Sequence, residues 1–196
     1  MYKFKLWAGL SLGILLTLAG NRAQALPGQT TDKVISWMNA NPTLRPGAGD
    51  GLIVRNSSTA AQRFNFEASV LPPGRITFPK DKSAVRTESL HIFDMINGVT
   101  RDRLKESLRT IYGLDIYQDF ERGTVVYSYP SPETVDQARR QRLPLLEAQQ
   151  GELRLGDRYA YWMEVVPTKS GKAFNGQVTV FLKEDLNKLQ TELLAR

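Results

Sequence analysis

The chain contains no cysteine. No disulfide, zinc–thiolate centre, iron–sulfur cluster or cysteine nucleophile can be built within it, and core packing alone must hold its fold. That constraint bites because the N-terminus reads as an export signal. Met1 to Lys5 carries two lysines and no acid, and Leu6 to Gly20 is uncharged and mostly apolar. Ala23-Gln24-Ala25 then presents small residues at the two positions that a signal peptidase reads, which predicts cleavage between Ala25 and Leu26. A retained anchor is the weaker reading. A spanning helix needs ~20 apolar residues, and this run is shorter and broken by Gly9, Ser11 and Gly13. A lipoprotein is excluded for want of a cysteine to acylate. No second hydrophobic stretch follows, so no membrane span is expected after cleavage.

Loss of Lys3, Lys5 and Arg22 with the signal would leave 23 of the 26 bases against 20 acids, a balance of +3. That is too weak to argue for nucleic acid as a partner. The expected organisation is a signal over 1–25, a flexible lead-in over 26–31 and one globular domain over 32–196, long enough for a core of its own.

Thr31 or Asp32 caps a short helix through about Asn39 that carries Val34, Ile35, Trp37 and Met38 and is stopped by Pro42. Gly47 to Gly51 reads as a connector and not as a phosphate loop, because it precedes a strand and no lysine follows in place. Leu52 to Arg55 reads as a short strand, and Asn56 to Ala61 as a turn. Arg63 to Val70 alternates: Phe64, Phe66, Ala68 and Val70 share one face, and Arg63, Asn65, Glu67 and Ser69 the other. Glu88 to Ile96 is a further strand. Thr100 caps a helix with Leu104, Leu108 and Ile111 at helical spacing and Gly113 as its stop. Ile116–Phe120 and Thr124–Tyr129 read as a hairpin, and Ser131-Pro132-Glu133 as a helix start. Arg158–Val166 and Gly176–Lys183 form a second hairpin, and Leu186, Leu189 and Leu193 mark a terminal helix. Hairpins without long crossovers predict an α+β fold: one domain, a mostly antiparallel curved sheet and helices packed on one face.

The stretch Arg63-Phe64-Asn65-Phe66-Glu67-Ala68-Ser69-Val70-Leu71-Pro72-Pro73-Gly74-Arg75, with Trp37 upstream, resembles a group of exported cyanobacterial proteins of unassigned activity. The resemblance implies a periplasmic or thylakoid-lumen location and brings no catalytic residues with it.

The residues offer little chemistry of their own. His91 is the only histidine. It rules out a multi-histidine metal site and, between Leu90 and Ile92 in a strand, reads as structural. No G-x-S-x-G accompanies it. Asp115, Asp119 and Glu121 cluster around the first hairpin and Glu164 lies mid-strand, the raw material of a two-carboxylate hydrolase. Arg139-Arg140-Gln141-Arg142 reads as a solvated helix face that could touch anionic lipid or polysaccharide. Tyr127 and Tyr129 share one strand face, as do Tyr159 and Tyr161, with Trp162 pointing the other way. With Arg63, these tyrosines are the candidate binding residues. No catalytic, metal or cofactor-binding set is assigned. The expected function is that of an exported non-enzymatic domain binding a protein partner or envelope component, in the periplasm, the thylakoid lumen or the extracellular space. The alternative is a small extracytoplasmic hydrolase using carboxylates or His91.

Overall fold

Side-chain caps start two of the helices, and hairpin register sets the sheet. The computed structural model describes residues 26–47, 49–79 and 81–195. The signal expected over 1–25, including Ala25 of the expected cleavage site, lies outside them. In chain order the elements are α1 (Thr31–Ala40), β1 (Ile53–Thr59), β2 (Gln62–Ser69), β3 (Thr87–Asp94), α2 (Arg101–Tyr112), α3 (Leu114–Arg122), β4 (Thr124–Tyr129), α4 (Pro132–Gln141), α5 (Pro144–Ala148), β5 (Gln150–Leu155), β6 (Ala160–Pro167), β7 (Ala173–Phe181) and α6 (Leu186–Leu194). A short 3₁₀ turn, Lys183–Asp185, leads into α6.

The strands form one open antiparallel sheet in the order β1-β2-β3-β7-β6-β5-β4. It is two meanders, β1-β2-β3 and β4-β5-β6-β7, sewn together by the β3–β7 pair. The α+β class holds. The chain must travel from β3 in mid-sheet to β4 at the far edge, and α2 and α3 make that crossing over one face.

That face carries the main core. Phe66, Leu90, Val178 and Met163 lie in one register row across four strands. They are covered by Leu104, Leu108 and Ile111 of α2, Ile116 and Phe120 of α3, and Val34 and Met38 of α1. Each large apolar side chain buried in this way contributes roughly 1.5–3 kcal/mol. Trp37 stacks on Tyr112 at 5.9 Å between ring centroids, which ties α1 to the end of α2. On the opposite face a smaller cluster forms at the β4–β6 end, where Leu186, Leu189 and Leu193 of α6 cover Leu153, Ala160, Trp162 and Phe181.

Two of the predicted caps are present, while the one expected from Thr31 or Asp32 is not: both residues lie inside α1, whose N-cap is Thr30 and has no side-chain cap bond. The Thr100 hydroxyl accepts the backbone N–H of Arg103 (3.1 Å) at the start of α2, and the Ser131 hydroxyl accepts that of Thr134 (3.1 Å) at the start of α4. Asp94 closes the turn between β3 and α2. Its carboxylate accepts the backbone N–H of Asn97 (2.8 Å), Nη1 of Arg103 (2.6 Å) and Nε2 of Gln62 (3.0 Å). These bonds, the Asn97 backbone bond foremost, hold it well below the usual carboxylate range.

Three segments differ from the sequence reading. Ile116–Phe120 is not a strand but the centre of α3, because Ile116 and Phe120 stand one helical turn apart and both are buried. Gly113 makes this restart possible: its φ of +86° lets α2 stop and α3 begin at once. Asn56–Thr59 is not a turn but the end of β1, a polar edge strand paired with β2. β5 is an additional strand. Its Leu153 and Leu155 alternate with Glu152 and Arg154 across only six residues, too few to stand out.

One core group breaks the apolar rule. Glu88 lies between Ala68 and Val180 in its register row and is 0% exposed. Neither carboxyl oxygen has a partner in hydrogen-bonding geometry. Burial pushes this group up to about 7, with the nearby Tyr112 hydroxyl pulling weakly the other way.

Candidate functional site on the open sheet face

The helices leave the middle of one sheet face uncovered. α6 shields only the β4–β6 end of it, so the outward side chains of β2, β3 and β7 line an open surface. One register row crosses the whole sheet there. Arg55 pairs with Asn65, Asn65 with His91, His91 with Gln177, Gln177 with Glu164, Glu164 with Gly151 and Gly151 with Tyr129. The period-two geometry of strands sends all of these side chains to the same side.

A cavity of about 300 Å³ sits over this row, lined by Arg63, Asn65, His91, Glu164, Asn175 and Gln177. A smaller one of about 190 Å³ continues beyond His91, past Glu67, Ser89 and the Pro72–Gly74 loop. His91 borders both, so the two make one groove with the imidazole at its middle. The ring is open to the groove, but neighbouring protein displaces much of its water. That desolvation pulls it below the ordinary imidazole range, and the charges of Glu67 and Glu164 oppose the shift. His91 is neutral at pH 7, with one ring nitrogen to donate and one to accept.

Glu164 is held in place. The Tyr129 hydroxyl donates to its Oε2, and Nε1 of Trp162 donates to the Tyr129 oxygen at 2.8 Å. Tyr129 reaches Glu164 by lying across β5 at Gly151, where a Cβ would strike its ring. Tyr127 stacks on Tyr129, with 5.7 Å between centroids. Gly151→Ala is therefore expected to drive Tyr129 off Glu164 at a cost of about 1–3 kcal/mol from overpacking. Urea unfolding measures that cost, and the tyrosine and indole signals report the displaced ring.

The candidate residues read from sequence separate. Arg63 lines the groove, its guanidinium 4.4 Å from the centre of the Phe93 ring. Tyr129 anchors Glu164, and Tyr127 supports it. Tyr159 and Tyr161 lie on the opposite face. Tyr161 is 0% exposed, with its hydroxyl donating to Asp119 at 2.6 Å. The four tyrosines therefore form no common platform.

The acidic trio also disperses along α3. Asp119 accepts the backbone N–H groups of Asp157 (2.8 Å), Arg158 (3.1 Å) and Tyr159 (3.3 Å), pinning the β5–β6 turn. Glu121 pairs with Lys105 at 3.0 Å, and Asp115 is exposed. Asn65, Asn175 and Gln177 were not singled out from sequence. The one available signal was the polar half of the β2 alternation, in which Asn65 falls between Arg63 and Glu67.

Among the described residues no group of three or more His, Asp or Glu is arranged to hold a metal ion, and no helix is long and apolar enough to cross a membrane. Comparison of the chain with family models, with curated proteins and with solved structures returned no match.

Proposed function

We propose that this is an exported, non-enzymatic domain that binds a polar partner, a protein segment or an envelope component, along the groove centred on His91. The observation that carries this reading is the polar row of Asn65, His91 and Gln177 across β2, β3 and β7, which no helix covers and which the buried Glu164 on β6 continues. Its amides both donate and accept, which suits recognition of a main chain or of hydroxyl groups. Arg63 adds a cation and Glu164 an oriented anion. The apolar N-terminal run, read as an export signal, supports a site of action in the periplasm, the thylakoid lumen or the extracellular space.

An array displaying both peptides and oligosaccharides tests the reading. The protein should select one class, and Asn65→Ala with Gln177→Ala should lower affinity on the order of ten- to a hundredfold, as loss of two hydrogen bonds implies. Equal binding by the double variant would move the site elsewhere.

A second reading, a small hydrolase, draws on the presence of His91 and Glu164 on one cavity. Mass spectrometry of the selected ligand after incubation separates the two. An unchanged mass supports binding, and a cleaved product that disappears with His91→Ala supports hydrolysis. Asp119 is an unsuitable acid for that chemistry, because its oxygens are committed to the β5–β6 turn.

A further inference from the structure

Away from the groove, the corner between α4 and α5 combines exposed leucines with exposed arginines. Arg142 ends α4 in the left-handed region, with φ of 57°. The sharp turn leaves Leu143 and Leu145 in solvent, 43% and 65% exposed. Leu143 to Leu146 and Gln149 line a shallow apolar hollow, and Leu194, 62% exposed, borders Leu146 at the end of α6. Arg139, Arg140 and Arg142, in the last turn and C-cap of α4 just before Leu143, are all exposed. Arg139 is neutralised by Glu147 at 2.7 Å. Arg140 and Arg142 make no ion pair among the described residues.

A single exposed leucine needs no explanation. Leucines at the tip of a turn with uncompensated arginines beside them match a different solvent, the boundary between headgroups and acyl chains of an anionic bilayer. There the leucines enter the apolar layer and the guanidinium groups stay with phosphate. A groove on another protein could also cover the leucines, but Arg140 and Arg142, which no carboxylate approaches within ion-pair distance although Glu133 and Asp136 share their helix, favour a phosphate surface. We propose that the α4–α5 corner docks this domain onto anionic phospholipid membranes, independently of what the sheet groove binds.

The absence of native cysteine makes the test site-specific. Leu145→Cys in the full chain, labelled with an environment-sensitive fluorophore, is mixed with vesicles of phosphatidylcholine alone or of phosphatidylcholine with phosphatidylglycerol. The fluorophore should brighten and shift to the blue only on the phosphatidylglycerol vesicles. The same label at Asp32→Cys, on α1, should not respond. Adding Arg140→Glu and Arg142→Glu should weaken binding more than tenfold, since each near-surface arginine contributes roughly fivefold. Should that variant fail to fold, added salt must weaken the Leu145→Cys response instead. No response on anionic vesicles, or an equal response on both kinds as leader insertion alone would give, overturns the proposal. So does a response that grows with protein concentration without vesicles, which would assign the corner to a second copy of the chain.

Discussion

Replacing Asp119 with alanine is expected to remove about 3–4 kcal/mol of folding stability, read as a fall in the urea midpoint at unchanged slope. This carboxylate is the junction between α3 and the β5–β6 turn. It accepts the backbone N–H groups of Asp157, Arg158 and Tyr159 and the hydroxyl of the fully buried Tyr161. Alanine leaves that hydroxyl without its acceptor in an interior where Phe120 packs edge-on against the Tyr161 ring, 5.5 Å between centroids. Asp119→Asn keeps one acceptor oxygen and should lose distinctly less. A loss below about 1 kcal/mol in the alanine variant would mean that the turn is held by something other than this carboxylate.

Glu88→Gln is expected to gain stability relative to the parent as pH rises above about 4.5. The folded protein holds this carboxyl near 7 against an ordinary value of 4.5, so between those values the folded state keeps a proton that the unfolded chain has released. Stability associated with Glu88 is therefore fully present below pH 4.5 and is lost as pH rises through about 7. The loss totals roughly 3 kcal/mol, because each pH unit of difference corresponds to about 1.4 kcal/mol. Glutamine has nearly the same shape and does not titrate. Whatever the offset between the two proteins at pH 4, the variant should gain roughly 3 kcal/mol relative to the parent by pH 8. Urea unfolding at both pH values measures the difference. A gap independent of pH would show that Glu88 is not buried as described.

These two acids illustrate what the sequence could and could not reveal. Local chemistry was legible: Thr100 and Ser131 as caps, Gly113 as a stop, and the opposite facing of Tyr161 and Trp162 on β6. Those features depend on neighbours a few residues away. α3 was misread because Ile116 and Phe120 are as suited to a strand as to a helix over so short a span. Only the left-handed Gly113 and the packing of both residues under α2 decide it. The proposed binding face was the least legible, because it depends on the β3–β7 pairing, which joins strands on either side of three other strands and four helices. His91 between Leu90 and Ile92 reads as a core residue until that pairing puts Gln177 on one side and Asn65 on the other. Glu164 reads as one acid among twenty until Gly151 lets Tyr129 reach over β5 to hold it.

The protein's single histidine makes the proposed groove directly observable, since its imidazole gives one set of carbon-bound proton resonances. Following those signals by NMR while the array-selected ligand is added, the groove reading predicts a saturable shift at His91. Asn65→Ala with Gln177→Ala should move its midpoint to a roughly ten- to hundredfold higher ligand concentration. A ligand that binds fully while the imidazole resonances stay where they were would place recognition on another surface.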